Sequence, residues 1–321
     1  IDIDGYNYDS VDKESMTITT GENIINIYYT KKTDLSYKVN YLEKDTNKVL
    51  HEQKTQGNMT FESVVTSADE VIAVDGYNYD SVDKDSLSIT TGENVINIYY
   101  TKKNDLSYTV NYLEKDTNIV LHEPKTTGNM TFESIVTSSK EVITIDGYNY
   151  DSVDKDTLSI TTGENVINIY YTKRNDLSYT VNYLESVTNK VLHEPKNQTG
   201  VTFETKINAE DEVIDINGYN YDYPDKYELV VGTGENVINI YYSKVTGLTY
   251  TVNFLEKGTN KVLFPSNNQG DMTFGDTVKA SDEVIAIDGY NYDSVDKDTL
   301  TIGTGENVIN IYYTKRTDLS Y

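Results

Sequence analysis

Between Tyr37 and Glu43 the chain reads YKVNYLE, in which Tyr37, Val39 and Tyr41 alternate with Lys38, Asn40 and Leu42. A period of two sends successive side chains to opposite faces of a strand, so this stretch predicts a strand with one buried face. KDTN follows as a polar turn, and KVLHE reads as the returning strand of a hairpin. The next stretch, TQGNMTFESVVTSADEVIAV, carries no firm period. Ser67 and Glu70 have the spacing of a capping box, which would open one short helix, and a non-helical connection fits the run equally well. Then come DGYNYDSVDKDSLSIT, TGEN and VINIYYT, with Tyr77 and Tyr79 sharing a face and Ile96, Ile98 and Tyr100 sharing another. The glycine of TGEN predicts a tight turn with positive φ, and hence a second hairpin. The pattern as a whole predicts a mostly β unit.

That unit recurs along the chain. The decapeptide DGYNYDSVDK begins at Asp4, Asp75, Asp146 and Asp288, and the variant NGYNYDYPDK begins at Asn217, each copy 71 residues from the next. Residues 37–107 and 108–178 are identical at 60 of 71 positions, so the two segments must fold alike. The period sets boundaries at 1–36 (the C-terminal half of a repeat), 37–107, 108–178, a divergent 179–249, and 250–321. The joining stretch TKKNDLS, Thr101 to Ser107, holds neither Gly nor Pro and is too short for a floppy tether, which predicts neighbours held in a fixed relation. Four compact units in line would span on the order of 120 Å, an elongated rod. The half repeat lacks two strands and is expected to be poorly packed unless another segment or molecule supplies them.

Composition narrows the function. The net charge of −25 is spread over the repeats rather than gathered in a tail, which excludes a nucleic-acid partner, since binding phosphates takes clustered Lys and Arg. There is no cysteine, so neither a disulfide nor a cysteine zinc site exists, and no apolar run is long enough for a membrane-spanning helix. Small domains without staples depend on dense packing, and the 30 tyrosines, with no tryptophan beside them, supply large rings whose hydroxyls need partners.

The succession YxVNYLExxTNKVL, TxGNMTF, IDGYNYD and NVINIYY resembles the MucBP repeat, the mucin-binding-protein domain of Gram-positive surface proteins, over nearly the whole chain. The resemblance implies small β-grasp-like domains in tandem, in an extracellular adhesin attached to the cell wall and exposed to mucus. It implies no cofactor and no catalytic residue. It leaves two roles open: a stalk that spaces a distal binding region from the wall, as a monomeric rod or part of a longer surface fibre, or repeats that themselves bind mucin or other host glycans.

Several residues are candidates for chemistry. On the closing strand Asn97 and Tyr99 fall on the face opposite Ile96 and Tyr100, and the pair recurs as Asn168 with Tyr170, Asn239 with Tyr241, and Asn310 with Tyr312. An amide beside a ring suits a sugar, and repetition would add avidity. The same pair also suits an ordinary half-exposed strand or a contact with the adjoining repeat. His51, His122 and His193 take one position in successive repeats, where the last repeat has Phe264, which predicts a packed ring and no metal. Asp80, Asp83 and Asp85 form an acidic cluster without the central Gly of an EF-hand loop and read as a solvated loop. Asn58, Asn129 and Asn197 open N-x-Thr sequons, read as exposed loop positions, and Lys84 with Asn78 is a candidate isopeptide pair. No nucleophile with a partnered base and no phosphate-binding loop appears, so an enzyme is not expected.

Overall fold

A computed structural model of the chain describes residues 1–317. They divide into two compact units, Ile1–Ile145 with Tyr150–Thr172, and Asp146–Asn149 with Lys173 onward. The first repeat, 37–107, shows how each sheet is made. Its strands are β3 (Leu35–Glu43), β4 (Val49–Met59), β5 (Val64–Thr66), β6 (Tyr77–Val82), β7 (Ser86–Ser88) and β8 (Val95–Lys102); the half repeat before it contributes β1 (Tyr6–Val11) and β2 (Ile27–Lys31).

β3 and β4 form the expected hairpin around Asp45 and Asn47, both in the left-handed region, with Thr46 Oγ1 donating to Glu43 Oε2 at 2.7 Å. β8 then lies parallel to β3, and β6 pairs antiparallel with β8, giving the sheet order β4-β3-β8-β6. A parallel neighbour needs a crossover, and the segment from β5 to β7 provides it, with β5 and β7 pairing as a separate short ribbon. The same four-stranded sheet and two-stranded ribbon recur in the other three repeats. A mixed sheet with its first and last strands parallel at the centre is the β-grasp arrangement, here without an α-helix.

Alternation places the core. Tyr37, Val39 and Tyr41 on β3 and Ile96, Ile98 and Tyr100 on β8 are buried, with Val65 and Ile89 closing the other side. Each fully buried aliphatic side chain contributes roughly 1.5–3 kcal/mol, and two adjacent central strands supply most of them.

Two local expectations need correction. The capping-box helix is a single 3-10 turn, Ser67–Glu70, whose N-cap Thr66 makes no side-chain cap. Glu70 does not reach back to the Ser67 backbone N–H, which donates to Asp85 O, because its two oxygens accept from Tyr37 Oη and Lys54 Nζ. TGEN is not a positive-φ hairpin turn either. Gly92 lies outside the left-handed range, and Asn94 shapes the bend, its Oδ1 accepting from Thr90 N at 2.9 Å and its Nδ2 donating to Ser36 O at 3.1 Å. Twelve residues including β7 separate β6 from β8, so the pair is antiparallel without being a tight hairpin.

The half repeat consists of β1 and β2 alone. Ile25 and Ile27 occupy the places of Ile96 and Ile98, yet they are 44% and 48% exposed where their counterparts are fully buried. The edge of β2 to which β3 and β4 add in a full repeat is open here.

Candidate functional site

The feature built most consistently is the joint between successive repeats. Gly76, just before β6, has φ +79°, and a Cβ there would lie 2.4 Å from the ring of Phe132 in the next repeat. Only glycine accepts both the backbone and the ring. Phe132 also meets Tyr77 edge-on at 5.6 Å, and its N–H donates to Lys103 O at 2.8 Å, while Lys103 N–H donates to Gly76 O at 2.9 Å. The connecting chain is thereby held on both sides. Thr162 Oγ1 donates to Asp75 at 2.7 Å, and Lys102 pairs with Glu133 at 2.8 Å.

The set recurs with the same geometry. Phe61 covers Gly5, Phe203 covers Gly147 and Phe274 covers Gly218. Thr91 donates to Asp4, Thr233 to Asp146 and Thr304 to Asn217. Lys31 pairs with Glu62, and Lys173 with Glu204. Glu62, Glu133 and Glu204 all hold positive φ, near 60° to 64°, a conformation a side chain adopts at a cost of about 1–2 kcal/mol. The fourth joint has Gly275 there, without the carboxylate. The hydrogen bond from Lys102 holds the Glu133 carboxyl below its usual range and raises the Lys102 ammonium.

The candidate glycan residues lie on the outer face of the sheet, and their amides are engaged. Asn97 Oδ1 accepts from Asn40 Nδ2 at 2.8 Å, and Asn97 Nδ2 donates to Asp83 Oδ2 at 3.1 Å, forming a polar ladder across β3, β8 and the turn after β6. Asn168, Asn239 and Asn310 repeat it with Asn111 and Asp154, Asn182 and Asp225, and Asn253 and Asp296. Tyr99, Tyr170, Tyr241 and Tyr312 are half-buried beside these ladders, and Tyr241 stacks at a tilt on Tyr223, 5.2 Å away. Tyr79, Tyr150 and Tyr292 are freer, each about half exposed. Tyr79 borders an open groove of about 670 Å³ with Val71, Tyr77, Asn78, Tyr100 and Lys103, and a matching groove of about 680 Å³ runs along Val284–Tyr292.

The remaining candidates have structural partners. His51, His122 and His193 stand edge-on to Tyr41, Tyr112 and Tyr183, and Phe264 stands in the same way to Phe254, so the position is an aromatic pair across β3 and β4. Asp83 serves the ladder and Asp80 pairs with Lys44 at 2.7 Å; among the described residues no group of three or more His, Cys, Asp or Glu could hold a metal. Lys84 Nζ donates to Val95 O at 2.7 Å and not to Asn78. Asn58 and Asn129 are exposed, in the left-handed region near the end of the long edge strand, and Asn197 lies within the corresponding strand.

Sequence reasoning missed a trio centred on a buried carboxylate. Tyr37 Oη donates to Glu70 Oε1 at 2.7 Å, and Lys54 Nζ donates to Glu70 Oε2 at 2.5 Å, with Glu70 only 7% exposed. Burial, then the bond to Glu70, raises the Tyr37 hydroxyl, and the separate bond from Lys54 to Glu70 raises the Lys54 ammonium. Tyr108 with Glu141 and Lys125, and Tyr179 with Glu212 and Lys196, repeat the trio. In the last repeat Asn267 takes the lysine's register position, and Tyr250, buried against Glu283 alone, is pushed up to about 12. Phe132 at the joint was missed as well. Its signal was in the chain, since TF recurs at the repeat distance together with DG.

No family model and no curated protein matches the chain, so the MucBP resemblance stands on the residues quoted for it. Among solved structures the chain is similar to Streptococcal High Identity Repeats in Tandem (SHIRT) domains 3-4 from a cell surface protein, at 15% identity over 44% of this chain and 98% of that one, with a TM-score of 0.21. It is similar to Mub-RV at 15% identity over 44% of this chain and 99% of that one, with a TM-score of 0.17. At such scores neither likeness carries an argument.

Proposed function

We propose that the chain is a non-enzymatic stalk of a Gram-positive cell-surface adhesin, lying outside the cell and spacing a distal binding region from the wall. The observation that supports this is the joint: the same Phe-on-Gly contact, Thr–Asp or Thr–Asn hydrogen bond and backbone pair recur at four successive boundaries. A chain selected to bind through independent modules has no need of identical fixed junctions, and a spacer does. In this reading the domain limits are those of the 71-residue period, at 36/37, 107/108, 178/179 and 249/250. Small-angle scattering of the whole chain tests the reading. A cross-section one domain wide with a long maximum dimension is expected, and a profile of one compact globule would overturn it.

A second reading, glycan binding by the repeats, is favoured by the exposed Tyr79 and Tyr292 beside two similar grooves, and by Tyr99, Tyr170, Tyr241 and Tyr312 next to their asparagines. Saturable binding of the whole chain to mucin, lost in the Tyr99→Ala and Tyr170→Ala double variant, would establish it. No binding leaves the stalk reading in place.

A further inference from the structure

β3 brings the chain into a repeat and β8 carries it out, and these two strands lie side by side and parallel. Their register runs from Lys38↔Val95 to Glu43↔Tyr100. Lys38 N–H to Asn94 O at 2.9 Å and Lys44 N–H to Tyr100 O at 2.8 Å continue the pairing at both ends. Tension along the chain draws β3 toward its N-terminal end and β8 toward its C-terminal end. For parallel strands these are opposite directions, so the strands must slide and the whole ladder is loaded together. In an antiparallel pair pulled from its adjacent ends, the bonds open one after another.

We propose that each full repeat is a mechanical clamp, and that bearing tension along the chain is a function of this protein. The other three repeats carry the same parallel pair, with registers from Thr109↔Val166, Thr180↔Val237 and Thr251↔Val308. The side chains reinforce it. The Asn40–Asn97 bond joins the two loaded strands directly, and its counterparts Asn111–Asn168, Asn182–Asn239 and Asn253–Asn310 do the same at 2.9 Å. Sliding also pulls Val39, Tyr41, Ile96 and Ile98 out of register in a core where all four are buried. This accounts for the amide ladder on an outer face, where a solvated strand has no need of one.

The chain contains its own control. In residues 1–36, β1 and β2 are antiparallel, and Tyr6↔Lys31 sits where tension enters and leaves. The same pull unzips this ribbon from its loaded end.

The inference deepens the stalk reading, and the two can fail separately: mucin binding would remove the stalk and leave the clamp, whereas weak repeats would remove the clamp and leave a spacer. The test is single-molecule pulling of the whole chain by its termini. Four high-force events are expected, each releasing about 250 Å of chain before the folded span is subtracted, from 71 residues at about 3.6 Å each. The 1–36 ribbon is expected to open at much lower force. Because the chain has no cysteine, Thr46→Cys and Asn104→Cys at two exposed sites supply unique handles in the full chain. They pull β3 and β8 of the first repeat from the same end, which peels the pair, and the high-force event is expected to vanish although circular dichroism of the variant matches the parent and its thermal unfolding stays cooperative. Four repeats that yield as easily as the ribbon, or a high-force event that survives the change of handles, would overturn the proposal.

Discussion

At the residue scale, one position distinguishes the last repeat from its neighbours. Lys54, Lys125 and Lys196 each reach a buried glutamate that also takes a tyrosine hydroxyl, while the last repeat has Asn267 there. Asn267→Lys is expected to complete the trio and stabilise that repeat by about 0.5–1 kcal/mol, the modest value of a partly exposed pair. The added ammonium favours the tyrosinate, so the Tyr250 titration should fall below about 12, as followed by ultraviolet absorbance of the ionised ring. Gly76 is constrained twice, by φ +79° and by the Phe132 ring. Gly76→Ala should destabilise the joint by more than about 1 kcal/mol, read as a lowered denaturation midpoint and faster amide exchange at Phe132 and Lys103. Glu133→Gly divides two effects that the wild-type residue combines. Relief of the left-handed strain should stabilise the backbone by about 1 kcal/mol, while the cross-joint pair with Lys102 is lost, so overall stability should hold or rise as exchange protection at the joint falls.

At the scale of elements, the central parallel pair carries core, ladder and load together. β3 and β8 contribute six of the buried core side chains, and the ladder from Asn40 through Asn97 to Asp83 covers their outer face. Asn97→Ala leaves Asn40 and Asp83 without a shared partner, and a loss of about 1–2 kcal/mol in that repeat is expected in urea unfolding. The strands were legible in the chain because period two needs no tertiary information. The connection between β5 and β7 was not legible. Ser67 and Glu70 have helix-capping identities, but Glu70 is engaged from β3 and β4, residues 33 and 16 positions away. Local propensity gave way to a long-range hydrogen bond. In the same way TGEN looked like a glycine turn, and the bend is made by the Asn94 side chain, with Gly92 in ordinary backbone.

At the scale of the whole molecule, repetition turns single-residue chemistry into a property of the chain. Tyr100, Tyr171, Tyr242 and Tyr313 are all raised by burial, each donating its hydroxyl to a backbone carbonyl in the neutral form. A folded-state value above the unfolded one contributes stability that is fully present below the ordinary tyrosine value near 10 and is lost as pH rises through the folded value. The repeats should therefore melt together as pH rises above the ordinary tyrosine value, with tyrosinate absorbance and loss of β circular dichroism appearing in step. The joint has the opposite sign. The Glu133 carboxyl is lowered by Lys102, so its contribution is present above the ordinary glutamate value and fades as pH falls below it. Acid near pH 4 and below should loosen exchange protection at the two joints that hold Glu62 and Glu133 before the cores open.

The sequence by itself determined the repeat length, the mostly β class and the alternating faces of β3 and β8, since period and composition are local properties. It also marked His51 as a place for a ring, through Phe264 at the equivalent position, but the packing it predicted is only an edge contact with Tyr41, and the rings stay exposed. The tertiary structure alone decided that the first and last strands of a repeat are parallel neighbours, that Asn97 spends its amide on Asn40 and Asp83, and that Phe132 rests on Gly76 of the preceding repeat. These facts join residues 57 apart on one sheet, or 56 apart across a joint, and no local pattern encodes which distant partner a side chain meets.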